Sequence, residues 1–264
     1  MKKILLIIPH YNNPDGLLKS ISSIGLTETL DIIIIDDGSS KKFTELDINN
    51  NFRAKGKIIY NYFDTNKGIE IALNTGIEYG LENNYDYFAR LDCGDLCEKN
   101  RFSIQASFLD NNPDIQLLGS SVYACDEHGN VLYVIKHPTK HKDIANYMYI
   151  NSMFVHPAVM FTVHAVKEIG FYPTKYKAAE DYAYFFKFVK KFKVANLSEV
   201  LVRIEINNNG ISYTKRRLQL QNRFKIIIEN FKFGYFPMYG LAKNAIIYIV
   251  PYKVIFSIKK MFFK

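Results

Sequence analysis

Three pairs of acidic residues stand where elements of secondary structure are predicted to meet. They are Asp36 with Asp37, Asp92 with Asp95, and Glu180 with Asp181. The first two pairs follow apolar runs typical of buried strands, and the third begins an apolar, aromatic segment typical of a helix. Open α/β sheets bind ligands at the carboxyl ends of their strands. Carboxylates gathered there repel one another unless a cation joins them, so the pattern indicates a site for a metal ion and the phosphates of a nucleotide.

Composition narrows the class of protein. The chain has 264 residues and is 48% hydrophobic, which is enough for one large domain with or without an appendage. Its cysteines, Cys93, Cys97 and Cys125, are sparse and odd in number, which favours a reducing compartment over a disulfide scaffold. Cys93 and Cys97 have no second Cys or His pair at zinc-ligand spacing, so a zinc site is not expected. The apolar run at residues 4–8 is too short for a signal peptide and predicts a first buried strand.

Positive charge is concentrated at the C-terminal end. Residues 213–264 contain eleven Lys and Arg and one acid, Glu229, a net charge of +10; since the whole chain is +8, the remainder sums to −2. Phe, Tyr, Ile and Leu alternate with these lysines, but the longest apolar stretch, residues 245–252, is too short to span a bilayer. We expect this tail to lie on an anionic membrane surface. The alternative is a C-terminal helix packed on the domain, and nucleic acid is a less favoured partner.

The elements that must position the acidic residues alternate along the first hundred residues. Strand-like runs at residues 4–8, 32–35, 57–63 and 85–91 are separated by helical patterns at 15–24 and 68–81. This order predicts a parallel sheet with right-handed crossovers. Further on, the patterns predict helices at 101–109 and 181–192, and strands at 115–124, 131–135, 155–162 and 194–204. A loop at 207–210 then leads into a tail with helical character at 215–231 and, after a break at Gly234 and Pro237, at 241–263.

Taken in order, these segments resemble the family-2 glycosyltransferases with the GT-A fold. The resemblance covers about residues 4–205 and consists of Ile-Pro-His-Tyr-Asn at 8–12, Ile-Asp-Asp-Gly-Ser at 35–39, Asn-Lys-Gly at 66–68, Ala-Leu-Asn-Thr-Gly at 72–76, Arg-Leu-Asp-x-x-Asp at 90–95, His-Pro-Ala-Val-Met-Phe at 156–161 and Glu-Asp-Tyr at 180–182. Each motif alone is weak, whereas their order and spacing together are specific. The chain looks most similar to bacterial enzymes that build capsule, lipopolysaccharide or other surface glycans.

The resemblance implies an α/β protein with a GT-A fold, in which a mixed central sheet is flanked by helices. A Rossmann-like, nucleotide-sugar-binding half is expected at residues 1–97 and an acceptor-binding, catalytic half at 98–212. Residues 213–264 would then form a basic, amphipathic helical extension.

The resemblance also assigns donor-binding residues to the N-terminal half. Asp37 is expected to read the nucleotide base, with Pro9 and Tyr11 lining the same pocket. The other nucleotide-binding candidates are Asp36, Lys67, Gly68, Arg90 and Asp92. From the residues alone, Asp-Asp-Gly-Ser is also a good turn sequence, and Lys67 is also a solvated lysine beside a flexible turn. His156 and Arg203 are candidates for acceptor or diphosphate contact, with a structural His beside Pro157 and a surface arginine as the alternatives.

The metal and catalytic assignments rest on the remaining acidic residues. The resemblance implies that Asp92 and Asp95 hold Mn²⁺ or Mg²⁺, although Asp95 could instead cap the helix that follows. The family's usual Asp-x-Asp is altered here, because Gly94 takes the place of the second carboxylate. Asp181 is expected to be the general base for an acceptor hydroxyl, with Glu180 orienting the site. The alternative for this pair is a favourable position for acids at the start of a helix.

Together these expectations describe an inverting, metal-dependent glycosyltransferase at the inner, cytoplasmic face of the cell membrane. Its donor would be a nucleotide-diphosphate sugar, with UDP favoured, and its acceptor a hydroxyl of a growing glycan that a lipid carrier could hold. One alternative is a catalytically degenerate scaffold at the membrane, which Gly94 favours. Another is a sugar nucleotidyltransferase, against which stands the lack of a glycine-rich, basic phosphate loop near the N-terminus. The sequence leaves the oligomeric state open.

Overall fold

Nine strands form one mixed sheet in residues 2–206 and 215–249, the parts of the chain that the computed structural model describes. They are β1 (Ile4–His10), β2 (Asp31–Asp36), β3 (Ile58–Tyr62), β4 (Tyr87–Arg90), β5 (Leu96–Cys97), β6 (Ile115–Cys125), β7 (Val131–Ile135), β8 (Met160–Thr162) and β9 (Lys193–Glu205). Their order is β3-β2-β1-β4-β8-β6-β9-β5, with β7 paired to β6. The first four strands are parallel, whereas β8 runs antiparallel to both β4 and β6. The predicted α/β class and mixed sheet are confirmed.

Nine α-helices accompany the sheet in these parts of the chain. They are α1 (Pro14–Ser22), α2 (Glu45–Asn51), α3 (Ile69–Glu82), α4 (Arg101–Asn111), α5 (His141–Tyr147), α6 (Val163–Ile169), α7 (Glu180–Lys191), α8 (Arg216–Glu229) and α9 (Tyr235–Ile249). The start of α1 shows how local sequence sets a boundary. Asn13 accepts a hydrogen bond from the Gly16 amide at 3.1 Å, and Pro14 occupies the first helical position, where no N–H is needed.

Both faces of the sheet are buried, as the unbroken apolar runs predict. Leu5 and Ile7 of β1 belong to one hydrophobic core, while Leu6 and Ile8 belong to another on the opposite face. Successive strand residues point to opposite faces, so a run such as Ile4–His10 is largely apolar only because helices cover the sheet on both sides.

The strand predicted at residues 155–162 is wrong in its first half. A 3₁₀ turn occupies His156–Ala158, and only Met160–Thr162 form a strand. Pro157 has no N–H to donate, so it cannot contribute a ladder hydrogen bond in the interior of a sheet. Helices α2, α5 and α6 were not predicted. Each has seven residues, and α2 and α5 each bury a single side chain, Ile48 and Ile144, so their sequences carry little helical periodicity.

The C-terminal helix α8 packs against the domain. Ile226 and Ile227 are fully buried and join the core that includes α7. Asn222 Nδ2 donates to the Lys177 carbonyl oxygen at 2.8 Å, in the loop that leads into α7. The predicted division after residue 212, the loop at 207–210 and the helical prediction beyond residue 249 lie outside the described residues. Among the described helices, none is both long and apolar enough to cross a bilayer.

Candidate active site

The carboxyl ends of β1, β2 and β4 meet at one edge of the sheet. In the parallel register, His10 at the end of β1 lies beside Asp36 at the end of β2, and Ile7 of β1 lies beside Arg90 of β4. The chain continues from β1 outward through β2 and β3 and then returns to β4 on the other side of β1. Such a reversal of strand order opens a crevice at the carboxyl edge, where ligands of open α/β sheets bind.

Asp36 is fully buried inside the turn that follows β2. Its Oδ1 accepts a hydrogen bond from the Ser39 amide at 2.7 Å, and its Oδ2 lies 3.5 Å from Lys42 Nζ and 3.8 Å from His10 Nδ1. Burial lowers the pKa of His10, so the imidazole is neutral at neutral pH. The structure thus places Asp36 as a support of the turn, and its contact with a nucleotide stays a prediction.

Asp37 joins the end of β2 to the start of α3. Its Oδ1 accepts from the Lys67 amide at 2.6 Å and its Oδ2 from the Gly68 amide at 3.0 Å. Gly68 has a φ of 101°, a conformation that favours glycine. These bonds fix the Asn-Lys-Gly segment at the crevice, while a carboxylate oxygen retains capacity for a second hydrogen bond. The role of Asp37 in base recognition stays a prediction.

The other donor-site candidates line the same loops. Tyr11 is 53% exposed just after β1, and the Pro9 carbonyl oxygen lies 3.3 Å from Cys93 Sγ in the acidic loop. The Lys67 ammonium lies over the Phe63 ring, 4.5 Å from its centroid. The loops thus carry an exposed aromatic ring and an exposed basic group, which suits a nucleotide diphosphate, and these assignments stay predictions.

Arg90 connects the acidic loop to the sheet. Its fully buried guanidinium donates from Nη1 to the Ile7 carbonyl oxygen at 3.1 Å, from Nη2 to Asp92 Oδ1, and from Nε to His156 Nε2 at 3.4 Å. Beneath it, Arg101 Nη2 donates to the carbonyl oxygens of Arg90 and Pro157, at 2.6 and 2.8 Å. Arg101 was not predicted as a site residue, because sequence alone predicts a surface position for an arginine in the first turn of a helix.

Asp92 and Asp95 flank a tight turn whose backbone explains Gly94. Gly94 has a φ of 102°, which side-chain-bearing residues rarely adopt. Its amide donates to Ser20 Oγ at 3.0 Å, and that hydroxyl donates to the Asp95 carbonyl oxygen at 2.8 Å. The positive φ therefore gives a structural reason for glycine, in place of aspartate, at position 94. Ser20, on α1, is a further residue that sequence reasoning missed.

The two carboxylates fit a cation held jointly with a substrate. Asp95 is buried, and burial together with the charge of Asp92 raises its pKa. Two acids that repel each other in this way gain from a divalent cation between them. Across the described residues, no three His, Cys, Asp or Glu side chains come close enough together to hold a metal. A Mg²⁺ or Mn²⁺ site commonly uses one or two carboxylates and completes its shell with substrate phosphates and water, so two carboxylates are enough protein ligands for such a site.

Glu180 and Asp181 lie in the first turn of α7. Glu180 is 6% exposed, and its Oε2 has no hydrogen-bond partner among the described residues. Burial, then the charges of Asp181 and Glu70, raise the pKa of Glu180 to about 8. Burial also raises the pKa of Asp181, and Asp92 adds to this effect. Because Asp92 acts on both Asp95 and Asp181, the predicted metal and base residues share one electrostatic environment.

His156 and Arg203 have structural partners in the crevice wall. His156 Nε2 lies 3.0 Å from the Tyr172 hydroxyl, and burial lowers the pKa of His156 well below its usual value. Arg203, on β9, donates from Nε to Glu98 Oε1 at 2.6 Å. These contacts account for both residues without a ligand, and their contacts with acceptor or diphosphate stay predictions.

Arg223 of α8 reaches the start of α7. Its Nη2 donates to Asn151 Oδ1 at 2.5 Å, its guanidinium lies 5.0 Å from the centre of the Tyr182 ring, and its charge lowers the pKa of Asp181. Its Nε is buried without a hydrogen-bond partner in the parts of the chain that the structure describes. Sequence reasoning missed Arg223, because it lies far from Asp181 along the chain, in a segment interpreted as a membrane-facing tail.

Comparison with known proteins agrees with this architecture. A model of the family described as "Glycosyl transferase family 2" matches residues 5–170. An uncharacterized glycosyltransferase of Methanocaldococcus jannaschii is 28% identical over 97% of this chain and 93% of its own length. The amylovoran biosynthesis glycosyltransferase AmsE of Erwinia amylovora is 29% identical over 72% of each chain.

Solved structures share the fold. S. aureus TarS in complex with UDP-GlcNAc superposes with a TM-score of 0.69 at 16% identity, over 93% of this chain and 72% of that one. The mannosyltransferase PcManGT from Pyrobaculum calidifontis, in complex with GDP-Man and Mn²⁺, has a TM-score of 0.62 at 14% identity, over 92% of this chain and 68% of that one. The predicted GT-A fold is thereby confirmed.

Replacing Glu180 with Gln should stabilise the protein more at pH 8 than at pH 5. The pKa of Glu180 is about 8 in the folded chain against an ordinary value of 4.5. Between these two pH values the folded state keeps a proton that the unfolded state releases. The contribution of Glu180 to the free energy of unfolding is therefore full below about pH 4.5 and is lost as the pH rises to about 8. A glutamine side chain does not ionise, so the free energy of unfolding of the variant should rise by about 2–4 kcal/mol relative to that of the wild type across this pH window.

Urea unfolding at each pH measures this difference. Glu127→Gln, which removes an exposed carboxylate in the turn between β6 and β7, is the control for loss of a surface charge. A stability difference between Glu180→Gln and wild type that does not change from pH 5 to pH 8 would show that Glu180 is not a buried neutral acid.

Arg223→Met should destabilise the protein, and the loss should grow as the pH rises and Asp181 ionises. The variant loses the contact with the Tyr182 ring and the hydrogen bond to Asn151, worth about 1–2 kcal/mol together. The additional loss at high pH arises because the cation stabilises the ionised form of Asp181. Lys190→Met, which removes an exposed cation from the last turn of α7, is the control. Equal stability of Arg223→Met and wild type at pH 8 in urea unfolding would contradict this role.

Proposed function

The chain belongs to glycosyl transferase family 2, and from that premise we propose that it moves a sugar from a nucleotide-diphosphate sugar to a hydroxyl of a growing surface glycan. The observation that carries the proposal is the convergence of the acidic loop and α7. Arg90 donates to Asp92 and to His156, and the His156 ring lies 5.8 Å from the Phe185 ring of α7. This convergence brings a candidate site for the diphosphate and its cation beside a candidate general base, in the crevice where the fold binds ligands.

The proposed donor is a UDP-linked sugar. The TarS complex contains UDP-GlcNAc, whereas the PcManGT complex contains GDP-Man, so the fold accommodates more than one nucleotide. The base would meet Asp37 and Tyr11 at the ends of β2 and β1. A carboxylate that accepts from a base N–H discriminates between nucleotides, because the wrong base leaves a charge unpaired.

Asp92 and Asp95 would hold Mn²⁺ or Mg²⁺ against the diphosphate. When bound, the cation would neutralise negative charge that develops on the leaving nucleoside diphosphate. The PcManGT complex contains Mn²⁺. Arg90 donates a hydrogen bond to Asp92, so the Asp92 carboxylate is already positioned in the free protein. This lowers the conformational-entropy cost of binding a ligand.

Asp181 would act as the general base. The acceptor oxygen attacks the anomeric carbon as the bond from that carbon to the diphosphate oxygen breaks, and the hydroxyl proton passes to Asp181. A single displacement of this kind inverts the anomeric configuration. Glu180, whose pKa is about 8, carries a proton at neutral pH and can donate a hydrogen bond that orients the donor or acceptor sugar. Arg223 favours the ionised form of Asp181, which the reaction requires.

A catalytically degenerate membrane scaffold is the second candidate. It is favoured by Gly94, which removes one carboxylate from the usual metal motif. The φ of 102° at this position gives a local reason for glycine, so the substitution is weak support for loss of activity. The buried Glu180 oxygen has no hydrogen-bond partner in residues 2–206 and 215–249, and such a group costs stability unless a ligand uses it, so it also favours an enzyme.

We further propose that the enzyme works at the cytoplasmic face of the cell membrane, on an acceptor attached to a lipid carrier. The support is the charge distribution, with +10 in residues 213–264 against −2 in the remainder. An anionic surface attracts such a segment and would orient the protein upon it.

Nucleotide binding should depend on the cation. In a thermal-shift titration with UDP, GDP, dTDP and CMP, UDP with Mn²⁺ should raise Tm by about 5–10 °C when present at roughly a hundredfold excess over Kd. UDP alone should raise Tm less. Asp95→Asn should remove the Mn²⁺-dependent part of the Tm shift. Asp114→Asn, which removes an exposed carboxylate before β6, should leave that shift unchanged. A UDP shift that is equal with and without Mn²⁺ would contradict the metal assignment, and no shift with any nucleotide would favour the scaffold.

Asp181→Asn should abolish transfer while sparing donor binding. Loss of the general base should lower kcat by about 10²–10⁴-fold, whereas the thermal shift with UDP and Mn²⁺ should stay unchanged. Asp143→Asn, which removes an exposed carboxylate from α5, is the matched control and should transfer normally. Full activity of Asp181→Asn in a radiolabelled-sugar assay would remove Asp181 from the mechanism.

A further inference from the structure

Helix α9 carries a row of exposed apolar side chains. Tyr235, Met238, Tyr239 and Ile246 are 73%, 60%, 47% and 60% exposed. Their spacing of three, four and eleven positions from Tyr235 places them on one face of the helix. Phe233, which is 93% exposed, extends the row just before the helix begins. We call these five residues the α9 face.

The opposite side of α9 is fixed to the domain. Gly240 packs so closely on the end of α5 that a Cβ there would lie 2.1 Å from the Tyr149 carbonyl oxygen. Asn244 is buried, and the Phe236 ring meets Tyr147 edge-on at 5.1 Å. The direction of the α9 face is therefore set by packing on the other side, and its exposure is not a result of a loosely attached helix.

Charge identifies the surface that would cover this face. Residues 215–249 contain seven Lys and Arg and one acid, Glu229, and residues 250–264 add four lysines and no acid. The acid is engaged by Lys175 and Tyr176 on the domain. A second copy of the chain would bring two such basic segments together and repel, whereas an anionic bilayer would attract each of them.

We propose that the α9 face is a docking surface for an anionic lipid bilayer. Its aromatic and aliphatic side chains would enter the boundary between headgroups and acyl chains, and the basic C-terminal segment would meet anionic headgroups. The proposal deepens the membrane location proposed above. Vesicle binding tests it without any transfer reaction, so its failure and the failure of the proposed enzyme activity are separate results.

Docking through α9 would place the reaction near the bilayer. Helix α9 packs on α8, and α8 carries Arg223, which acts on Asp181, and Asn222, which holds the loop before α7. The membrane contact and the candidate general base are thus joined by one pair of packed helices. This arrangement suits an acceptor that remains attached to lipid while its sugar end enters the crevice.

Co-sedimentation of the full chain with vesicles tests the proposal. The vesicles contain phosphatidylcholine alone or a mixture with phosphatidylglycerol. The wild type should bind the mixed vesicles well and the neutral ones weakly, and its binding should decrease as salt is raised. The double variant Tyr235→Ser, Met238→Ser should bind the mixed vesicles at least about tenfold less, because two apolar side chains no longer enter the bilayer.

A matched control uses another exposed apolar patch. Leu132 and Tyr133 of β7 are 54% and 53% exposed, so Leu132→Ser, Tyr133→Ser makes the same kind of change away from α9. This control should bind mixed vesicles like the wild type. Thermal unfolding of both double variants establishes that they fold, since all four side chains are exposed in the native protein.

Three outcomes would overturn the proposal. Equal vesicle binding by the α9 variant and the wild type would place any lipid contact elsewhere. Equal binding of the wild type to neutral and anionic vesicles would contradict the argument from charge. A dimer that light scattering detects in the wild type and not in the α9 variant would identify the face as an interface between copies. Vesicle binding without sugar transfer would support this proposal and contradict only the proposed reaction.

Discussion

The buried guanidinium of Arg90 is the interaction on which the crevice depends. It bonds to the backbone of β1, to Asp92 and to His156, and its own carbonyl oxygen is held by Arg101. Burying a charged guanidinium lowers the stability of the fold unless its N–H groups are hydrogen-bonded. Its hydrogen bonds therefore tie together two strands, the acidic loop and the 3₁₀ turn, and the position of the acidic loop follows from the packing of the sheet.

The second constraint is that a distant part of the chain packs on the start of α7. Asn222 bonds to the loop before α7, and Arg223 lies against Tyr182 and lowers the pKa of its neighbour Asp181. Helix α8 is therefore packed into the same domain as α7, although its sequence is basic. The same helix pair presents an apolar face to solvent on one side and the Arg223 guanidinium to the start of α7 on the other, so its two sides differ in chemistry.

Much of this arrangement could be predicted from sequence, and the remainder could not for identifiable reasons. Apolar runs such as that of β1 predict buried parallel strands because both faces are covered, and the topology then brings Asp36 and Asp92 toward one edge. Sequence does not show that the oxygens of Asp37 bond to the amides before α3, because that contact spans 30 positions. Nor does it show Arg223 beside α7, because a buried contact of a basic residue leaves no periodic pattern.

The turn at Gly94 also limits how this site could change over evolutionary time. Restoring the usual Asp-x-Asp by one substitution would put a side chain on a backbone with a φ of 102°, at a cost of about 1–3 kcal/mol. The hydrogen bond from the Gly94 amide to Ser20 holds that conformation in place. A third carboxylate at this position would therefore be gained at a cost in stability, unless the peptide rotated and gave up its bond to Ser20. Two carboxylates separated by two residues avoid that cost, so the turn itself favours the shorter set of acids.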